Sequence, residues 1–360
     1  ILAGEMDKIQ IMPNMSVIAV VGENMKHHPG ASGRLFQALG RNNINVSAVA
    51  QGSSELNISA VIKQSDLQKG LNALHEAFFL SDNKVLHVFL IGVGLIGKTL
   101  ISMIHNQLNK LQEDYMLDIK IHGLANSRFM AFDEDGFGLS SIPVPSSEDL
   151  PMDLTVFLNT MNSMNFSNSV LVDCTASQDV ADTYERVLAS KVAIVTPNKK
   201  ANSSSLENYK SLKKLSGQRN IKFLYETNVA AGLPVISTLQ DLILSGDKVI
   251  KIEGVLSGSM NYIFSELSKG TPFSEVVTQA KEKGFTEPDP RDDLSGMDVA
   301  RKILILGREA EQDLHFSDVS IQSMVPEDCQ EIDSVEEFLE KLKGHDPHFK
   351  SLVDEAKEKE

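Results

Sequence analysis

The sequence predicts an α/β chain in three parts, and three observations carry that prediction. Residues 1–83 read in the order βαββα, a small α+β unit too short for an enzyme core and suited to ligand sensing. At residue 84 a buried strand runs straight into a glycine turn and a helix. Strands then alternate with helices to residue 220, the pattern of a parallel sheet covered by helices. From 221 to 360 the texture changes to strand-like and helical stretches without that alternation, an α+β domain.

Each element has its own signal. Residues 15–21 are an apolar strand. Over 31–41 the spacing of Leu35, Phe36 and Leu39 predicts a helix. Residues 44–50 alternate like a strand, and 57–62 form another. A helix over 65–79 follows, with Ser65 as its expected N-cap. After a polar hinge at 81–83, residues 84–91 read as the buried strand, and 119–124, 169–173 and 192–195 as its neighbours. Residues 221–225 and 249–256 are strand-like, separated by a helix over 234–245. Helices over 259–268 and 294–310 complete the reading, with no internal repeat.

Of the 360 residues, 42% are hydrophobic and 23% charged, which excludes a disordered chain. The formal charge of −15 argues against a nucleic-acid surface, which needs clustered Lys and Arg. Residues 326–360 hold twelve acidic residues against five lysines and read as a solvated helical face. No apolar run is long enough for a membrane span, and the start has no signal-peptide pattern. The chain does not begin with Met, so a piece of something longer is expected. Two cysteines, Cys174 and Cys329, cannot make a disulfide framework and lack zinc-site spacing; a cytoplasmic location is expected.

The turn Gly92-Val93-Gly94-Leu95-Ile96-Gly97 follows a strand and opens a helix, the context in which a glycine motif binds a dinucleotide. The helix N-terminus then faces the pyrophosphate charge. At the end of the second strand stand Asn126, Ser127 and Arg128, where an NAD-specific site usually has an acidic residue. Arg128 is a candidate for a 2′-phosphate, so NADP, or acceptance of both NADP and NAD, is expected; a plain surface arginine is the alternative.

Five further blocks extend the pattern: residues 173–177, 196–201, 226–234, 254–262 and 284–302, the last reading Gly-Phe-Thr-Glu-Pro-Asp-Pro-Arg-Asp-Asp-Leu-Ser-Gly-Met-Asp-Val-Ala-Arg-Lys. In order and wording they resemble homoserine dehydrogenase. Residues 20–23 and 51–59 look like an ACT domain of aspartokinase. Together they resemble the bifunctional aspartokinase/homoserine dehydrogenases over nearly the whole chain. The resemblance implies an ACT (ferredoxin-like) regulatory domain over 1–83, a Rossmann-type dinucleotide-binding domain over 84–220, and a catalytic and dimerisation domain over 221–360. By the same resemblance, residues 1–360 are expected to lack the aspartokinase catalytic domain and a C-terminal return segment of the family. An amino-acid-binding regulatory and dimerisation fragment is therefore the alternative to an active enzyme.

The implied reaction is reversible, NAD(P)H-dependent reduction of aspartate 4-semialdehyde to homoserine, in threonine and methionine biosynthesis. It needs a proton donor for the developing alkoxide, and an ammonium suits that task. Lys199 follows the strand 192–195, at the end of a sheet where ligands sit. Asp298 and Lys302 share a helical face at i, i+4, a spacing that alone reads as a surface ion pair. The resemblance makes Lys199, Lys302 and Asp298 catalytic. It gives Glu287, with Asp293 and Asp298, to the polar end of the amino-acid substrate, beside Phe285, whose ring lacks the hydroxyl a Tyr would add; the strand-to-helix turn at Gly258 and Ser259 offers backbone N–H groups to the substrate carboxylate. Thr175 and Lys199 join the glycine turn, Asn126 and Arg128 at the cofactor. Glu226, Val229, Ala231 and Leu233 match a monovalent-cation (sodium) loop. Asn45, Gln51 and Ser53 are implied to bind an amino-acid effector, threonine by expectation, in a homo-oligomer, dimer or tetramer. A phosphorylating semialdehyde dehydrogenase would instead need Cys174 as nucleophile, and Cys174 reads better as a packing residue.

Overall fold

The computed structural model describes residues 10–22, 30–42, 44–52, 56–79, 84–139 and 144–359. The chain gathers into two compact units. One comprises Ile1–Val172 and Ser190–Ala193; the other comprises Asp173–Ala189 and Ile194–Glu360. Among the described residues no helix is long and apolar enough to cross a membrane.

The first sheet has three antiparallel strands, β1 (Met15–Val21), β2 (Ala48–Ala50) and β3 (Asn57–Lys63), in the order β1-β3-β2. Strand alternation sends Ile18, Val20, Ile58, Ala60 and Ile62 to one face. There they meet Leu35 and Leu39 of the helix Ala31–Arg41 and Leu74 of the helix Leu67–Phe79. The βαββα order is as the sequence predicts. Two details differ. The second strand is only three residues long, and Ser65 lies inside a 3₁₀ turn, Gln64–Asp66, instead of capping the helix. The chain enters that turn from an extended Lys63, which puts Ser65 in the middle of the turn, ahead of the helix.

The second sheet adds β4 (Lys84–Ile91), β5 (Leu117–Ala125), β6 (Phe129–Phe132), β7 (Leu150–Pro151), β8 (Ser169–Asp173), β9 (Ala193–Val195) and β10 (Phe223–Leu224), in the order β10-β9-β8-β4-β5-β6-β7. β4 pairs parallel with β5, and β9 with β10, as the α/β alternation requires. β6 and β7 extend the edge antiparallel. Neither is marked by the apolar pattern, because a short edge strand needs no continuous hydrophobic run. The sheet interior holds a buried histidine pair. His87 Nδ1 lies 2.8 Å from His122 Nε2, and His122 Nδ1 lies 2.9 Å from the Asp133 carbonyl. Burial, then the neighbouring His122, pushes His87 down to about 3, so both the bond and the ring stack on Phe166 involve a neutral imidazole.

The helices of the second unit include Ile236–Leu244, Gly258–Ser268, Phe273–Glu282, Pro290–Leu294, Met297–Glu309, Val335–Leu342 and Asp346–Lys359. Met260, Ile263, Phe273, Val276, Leu294, Phe338 and Phe349 form one core among them. Phe273, Val276, Val277 and Ala280 follow helical spacing and are all buried, so the helix at 273 has a periodic signal of its own. Residues 249–256, expected as a strand, carry no regular structure. A strand exists only through a partner, and none of the described strands pairs with this segment.

Candidate active site

The glycine turn has the stereochemistry a pyrophosphate cradle needs. Gly92 sits at φ +101°, open to glycine at little cost, and its N–H donates to the Ala125 carbonyl at 2.8 Å. A Cβ at Gly97 would meet the Gly92 carbonyl at 2.2 Å, so only glycine lets the helix Leu95–Tyr115 start this close to β4. The space beside Gly94 is clear of heavy atoms within 4 Å. A helix of 21 residues thus begins at an unobstructed backbone turn, and these residues fit a dinucleotide phosphate.

Asn126 has a job inside the fold. Its Oδ1 accepts from the N–H groups of Arg128 and Phe129, both at 2.8 Å, and its amide donates to the Pro145 carbonyl at 2.7 Å. It therefore builds the turn from β5 to β6, and the Arg128 side chain beside it is exposed, with its guanidinium 5.9 Å from the Phe129 ring.

β8 ends at Asp173, which is fully buried and organises two loops. One oxygen accepts from the Thr175 N–H at 2.7 Å; the other accepts from the Tyr184 hydroxyl at 2.6 Å and the Asn198 amide at 3.0 Å. Thr196 closes the set by donating to the Asp173 carbonyl at 2.9 Å. The loop bearing Thr175 and the loop bearing Lys199 are thus fixed to one carboxylate. Asp173, Asn198 and Tyr184 are residues that the sequence reading leaves out, since only their convergence reveals them. Between them Cys174 is half-buried, and burial, then Asp173, pushes its thiol up to about 11. That is the wrong direction for a nucleophile, which must ionise.

Lys199, Asp298 and Lys302 come together. Asp298 lies in the first turn of the helix Met297–Glu309, and its two oxygens are divided between the lysines. Lys199 Nζ is 3.2 Å from Oδ1, and Lys302 Nζ is 2.6 Å from Oδ2. Lys302 Nζ also donates to the Leu256 carbonyl at 2.8 Å. Burial alone would raise the Asp298 pKa; the Lys302 hydrogen bond and the two ammonium charges outweigh it and hold the carboxyl below its ordinary value. The side chains are accessible yet sheltered, 26% exposed for Lys199 and 16% for Lys302. Two ammonium groups held on one anion, both with protons to give, form a site able to protonate and stabilise an oxyanion.

A second cluster surrounds the start of the helix Gly258–Ser268. Asp293 accepts from the Ser259 hydroxyl at 2.6 Å and from the Glu287 N–H at 2.8 Å. Ser257 caps the helix through the Met260 N–H, and nothing crowds Gly258 within 4 Å. Asp293 thereby joins the loop of Glu287, whose side chain is exposed, to the serine turn. Asp289 caps the helix Pro290–Leu294 and pairs with Arg291, so it belongs to the scaffold. Phe285 is half exposed and packs edge-on against Tyr262, centroids 4.9 Å apart; its ring offers no hydroxyl.

The expected cation loop is used internally. Glu226 accepts from the N–H groups of Ile236 and Ser237 at 2.7 and 2.9 Å, so both carboxylate oxygens hold the start of the helix Ile236–Leu244. The Leu233 carbonyl accepts from the Val235 N–H at 2.9 Å, and Ala231 takes φ +51° while Val229 is buried. Two of the four expected ligands thus have hydrogen-bond partners within the chain, and an oxygen that accepts one N–H keeps a second lone pair. Asp328, Cys329 and His345 also approach one another. His345 and Lys341 both pair with Asp328, however, and burial, then Asp328, raises the Cys329 thiol. Asp328 is thus engaged by the Lys341 ammonium, and the raised Cys329 thiol is not a thiolate site.

Of the effector residues, Asn45 is exposed, and Gln51 accepts from the Ser32 hydroxyl at 3.1 Å. Ser53 lies outside the described residues, as does most of the loop 25–30.

Comparison with known proteins adds three family matches: an ACT domain over residues 18–78, the NAD-binding domain of homoserine dehydrogenase over 92–226, and homoserine dehydrogenase over 234–359. A bifunctional aspartokinase/homoserine dehydrogenase of Arabidopsis thaliana is 44% identical over 96% of this chain and 38% of its own length. One from Haemophilus influenzae is 43% identical over 98% of this chain and 43% of its own. The chain therefore spans about two fifths of the length of these curated relatives. A crystal structure of homoserine dehydrogenase from Thermoplasma acidophilum is similar with a TM-score of 0.53 at 26% identity, covering 66% of this chain and 72% of that one.

Proposed function

The chain belongs to the family of bifunctional aspartokinase/homoserine dehydrogenases, and we propose that it catalyses the homoserine dehydrogenase reaction, the interconversion of aspartate 4-semialdehyde and homoserine. The observation that carries this reading is the Asp298 carboxylate holding Lys199 and Lys302 together. Its division into a regulatory domain over 1–83, a cofactor domain over 84–220 and a catalytic domain over 221–360 is supported by the order of the three family matches.

A bound nicotinamide cofactor supplies the hydride in one direction and accepts it in the other. Gly92, Val93, Gly94, Leu95, Ile96 and Gly97 hold its pyrophosphate. In the reducing direction the aldehyde carbon gains a hydride, and the oxygen, now an alkoxide, takes a proton from the ammonium pair of Lys199 and Lys302. Asp298 keeps both cations directed at that oxygen and is itself kept ionised by them. The backbone turn at Gly258 and Ser259 receives the substrate carboxylate, and Glu287, steered by Asp293, receives its ammonium. No step runs through a cation at Glu226.

Arg128 favours NADP in this reading. The test is a homoserine-dependent rise in absorbance at the reduced-nicotinamide band, with NAD and NADP, on the chain and on Arg128→Glu. Turnover is expected, and the variant's KM should rise about tenfold more for NADP than for NAD. No homoserine-dependent signal with either cofactor would reject the enzyme reading; equal losses would reject Arg128 as the phosphate reader.

The regulatory domain, in a homo-oligomeric dimer or tetramer within a reducing compartment such as the cytoplasm, takes threonine as effector. Asn45 and Gln51, both exposed, are short polar groups suited to an amino acid's ends. Threonine, which binds only the folded state, should raise Tm, and Gln51→Ala should reduce the shift. A Tm unmoved by saturating threonine would remove the effector assignment.

A further inference from the structure

We propose that Arg301 and Arg308 act as a clamp that positions Lys199 on Asp298, an inference that rests on the catalytic reading given above. The helix Met297–Glu309 carries Asp298, Arg301, Lys302 and Arg308. At about 100° per residue these four fall within roughly one third of the helix circumference, so they share a face. The loop from Lys199 to Ser204 lies against that face, held at several points.

Arg308 supplies the first anchor. Its guanidinium is buried, 4% exposed, and donates to the carbonyls of Asn202 at 2.7 Å, Ser204 at 2.8 Å and Leu314 at 3.1 Å. Carbonyls two residues apart in the loop are thus spanned by one planar fork, a geometry that an ammonium cannot reproduce. Arg301 supplies the second anchor. It donates to the Ser203 hydroxyl at 3.0 Å, and Ser203 in turn donates from its N–H and its hydroxyl to the Lys199 carbonyl, each at 2.9 Å. The main chain of Lys199 is therefore tied to the same helix that carries its ion-pair partner. The 3.2 Å contact of Lys199 with Asp298 closes this circuit. Lys302 needs no such help, because it projects from the Asp298 helix itself.

The buried Asn202 side chain also takes part. Its amide donates to Asn228 at 2.9 Å, and Asn228 donates to the Thr196 carbonyl at 3.0 Å, fixing the loop where it leaves β9. The loop is thus held at both ends by hydrogen bonds, and the arginines set its height over the catalytic helix. A displacement of about 1 Å at a reacting group is enough to cost on the order of 10²-fold in rate, so the clamp has a catalytic consequence without touching substrate.

The test uses Arg301→Met, at a half-buried position, and Arg308→Lys, which keeps the charge but not the fork. Each is read by kcat, by KM for homoserine and for the cofactor, by Tm, and by a crystal structure. The expected result is a fall in kcat of about 10- to 100-fold. In the crystals Lys199 Nζ should leave Asp298 while Lys302 stays on it. Arg301→Lys, whose ammonium still reaches Ser203, should recover part of the loss. Lys199 remaining within hydrogen-bond distance of Asp298 in both variants would overturn the clamp, as would an unchanged kcat in both. The crystal readout needs no activity. An inactive parent chain would therefore count against the enzyme reading, while displacement of Lys199 would still uphold the clamp.

Discussion

Replacing Lys302 by alanine is expected to lower turnover by about 10²–10⁴-fold with the fold intact, the range for loss of a positioned proton donor. Lys302 makes the shorter of the two contacts to Asp298, 2.6 Å against 3.2 Å for Lys199, and is the more sheltered of the pair. Its removal leaves the Leu256 carbonyl without that donor and Asp298 with one cation. The Asp298 carboxyl should then titrate higher, because burial still opposes its charge while the largest stabilising contact is gone. The acid limb of the pH–rate profile should move up accordingly in whatever activity remains. Lys199→Ala is expected to fall in the same range. Steady-state kinetics on both variants, with circular dichroism to verify folding, decides the matter; near-parental kcat in both would remove the ammonium pair from the mechanism.

Glu309→Ala should be the most destabilising single change in the second unit, at about 3–5 kcal/mol, the usual cost of breaking a buried ionic network by removing one member. Glu309 is 5% exposed and accepts from Tyr209 at 2.7 Å, Tyr225 at 2.5 Å and Gln240 at 2.6 Å, with Lys213 Nζ at 3.1 Å. These partners come from the helix Leu206–Arg219, the segment after β10 and the helix Ile236–Leu244. Burial would raise the Glu309 pKa, but Lys213, Gln240 and the two tyrosines outweigh it and hold the carboxyl below its ordinary value. A folded-state pKa below the unfolded one contributes stability above the unfolded carboxylate pKa, and that stability is lost as pH falls through the folded pKa. Urea unfolding at neutral pH should show the full loss. At acid pH the difference between parent and variant should shrink. A midpoint unchanged at neutral pH would show that the network contributes nothing net.

Local pattern made much of this molecule legible. The βαββα unit follows from strand alternation and the 3.6-residue helical period, both properties of short windows. The glycine turn was readable because its demands, a positive φ at Gly92 and close packing at Gly97, can be met by one residue type. Asp298 and Lys302 were readable as a pair because i, i+4 places them on one face. Segment 249–256 shows the limit: its β-branched run satisfies the strand pattern, yet a strand needs a partner, and sequence spacing does not supply one.

The sequence by itself thus determined the element order, the phosphate turn and the family's motifs, since each depends on near neighbours and on residue chemistry. Only the tertiary structure decided which groups meet. It put Lys199 and Lys302 on the two oxygens of one carboxylate. It assigned Asn126 to a β-turn and Glu226 to a helix start. It also drew Asp173, Arg308 and Glu309 into networks with residues distant along the chain. A buried polar group takes whatever donor or acceptor the fold brings to it, because leaving it unpaired costs more than any local preference favours, and that pairing is a property of the folded chain.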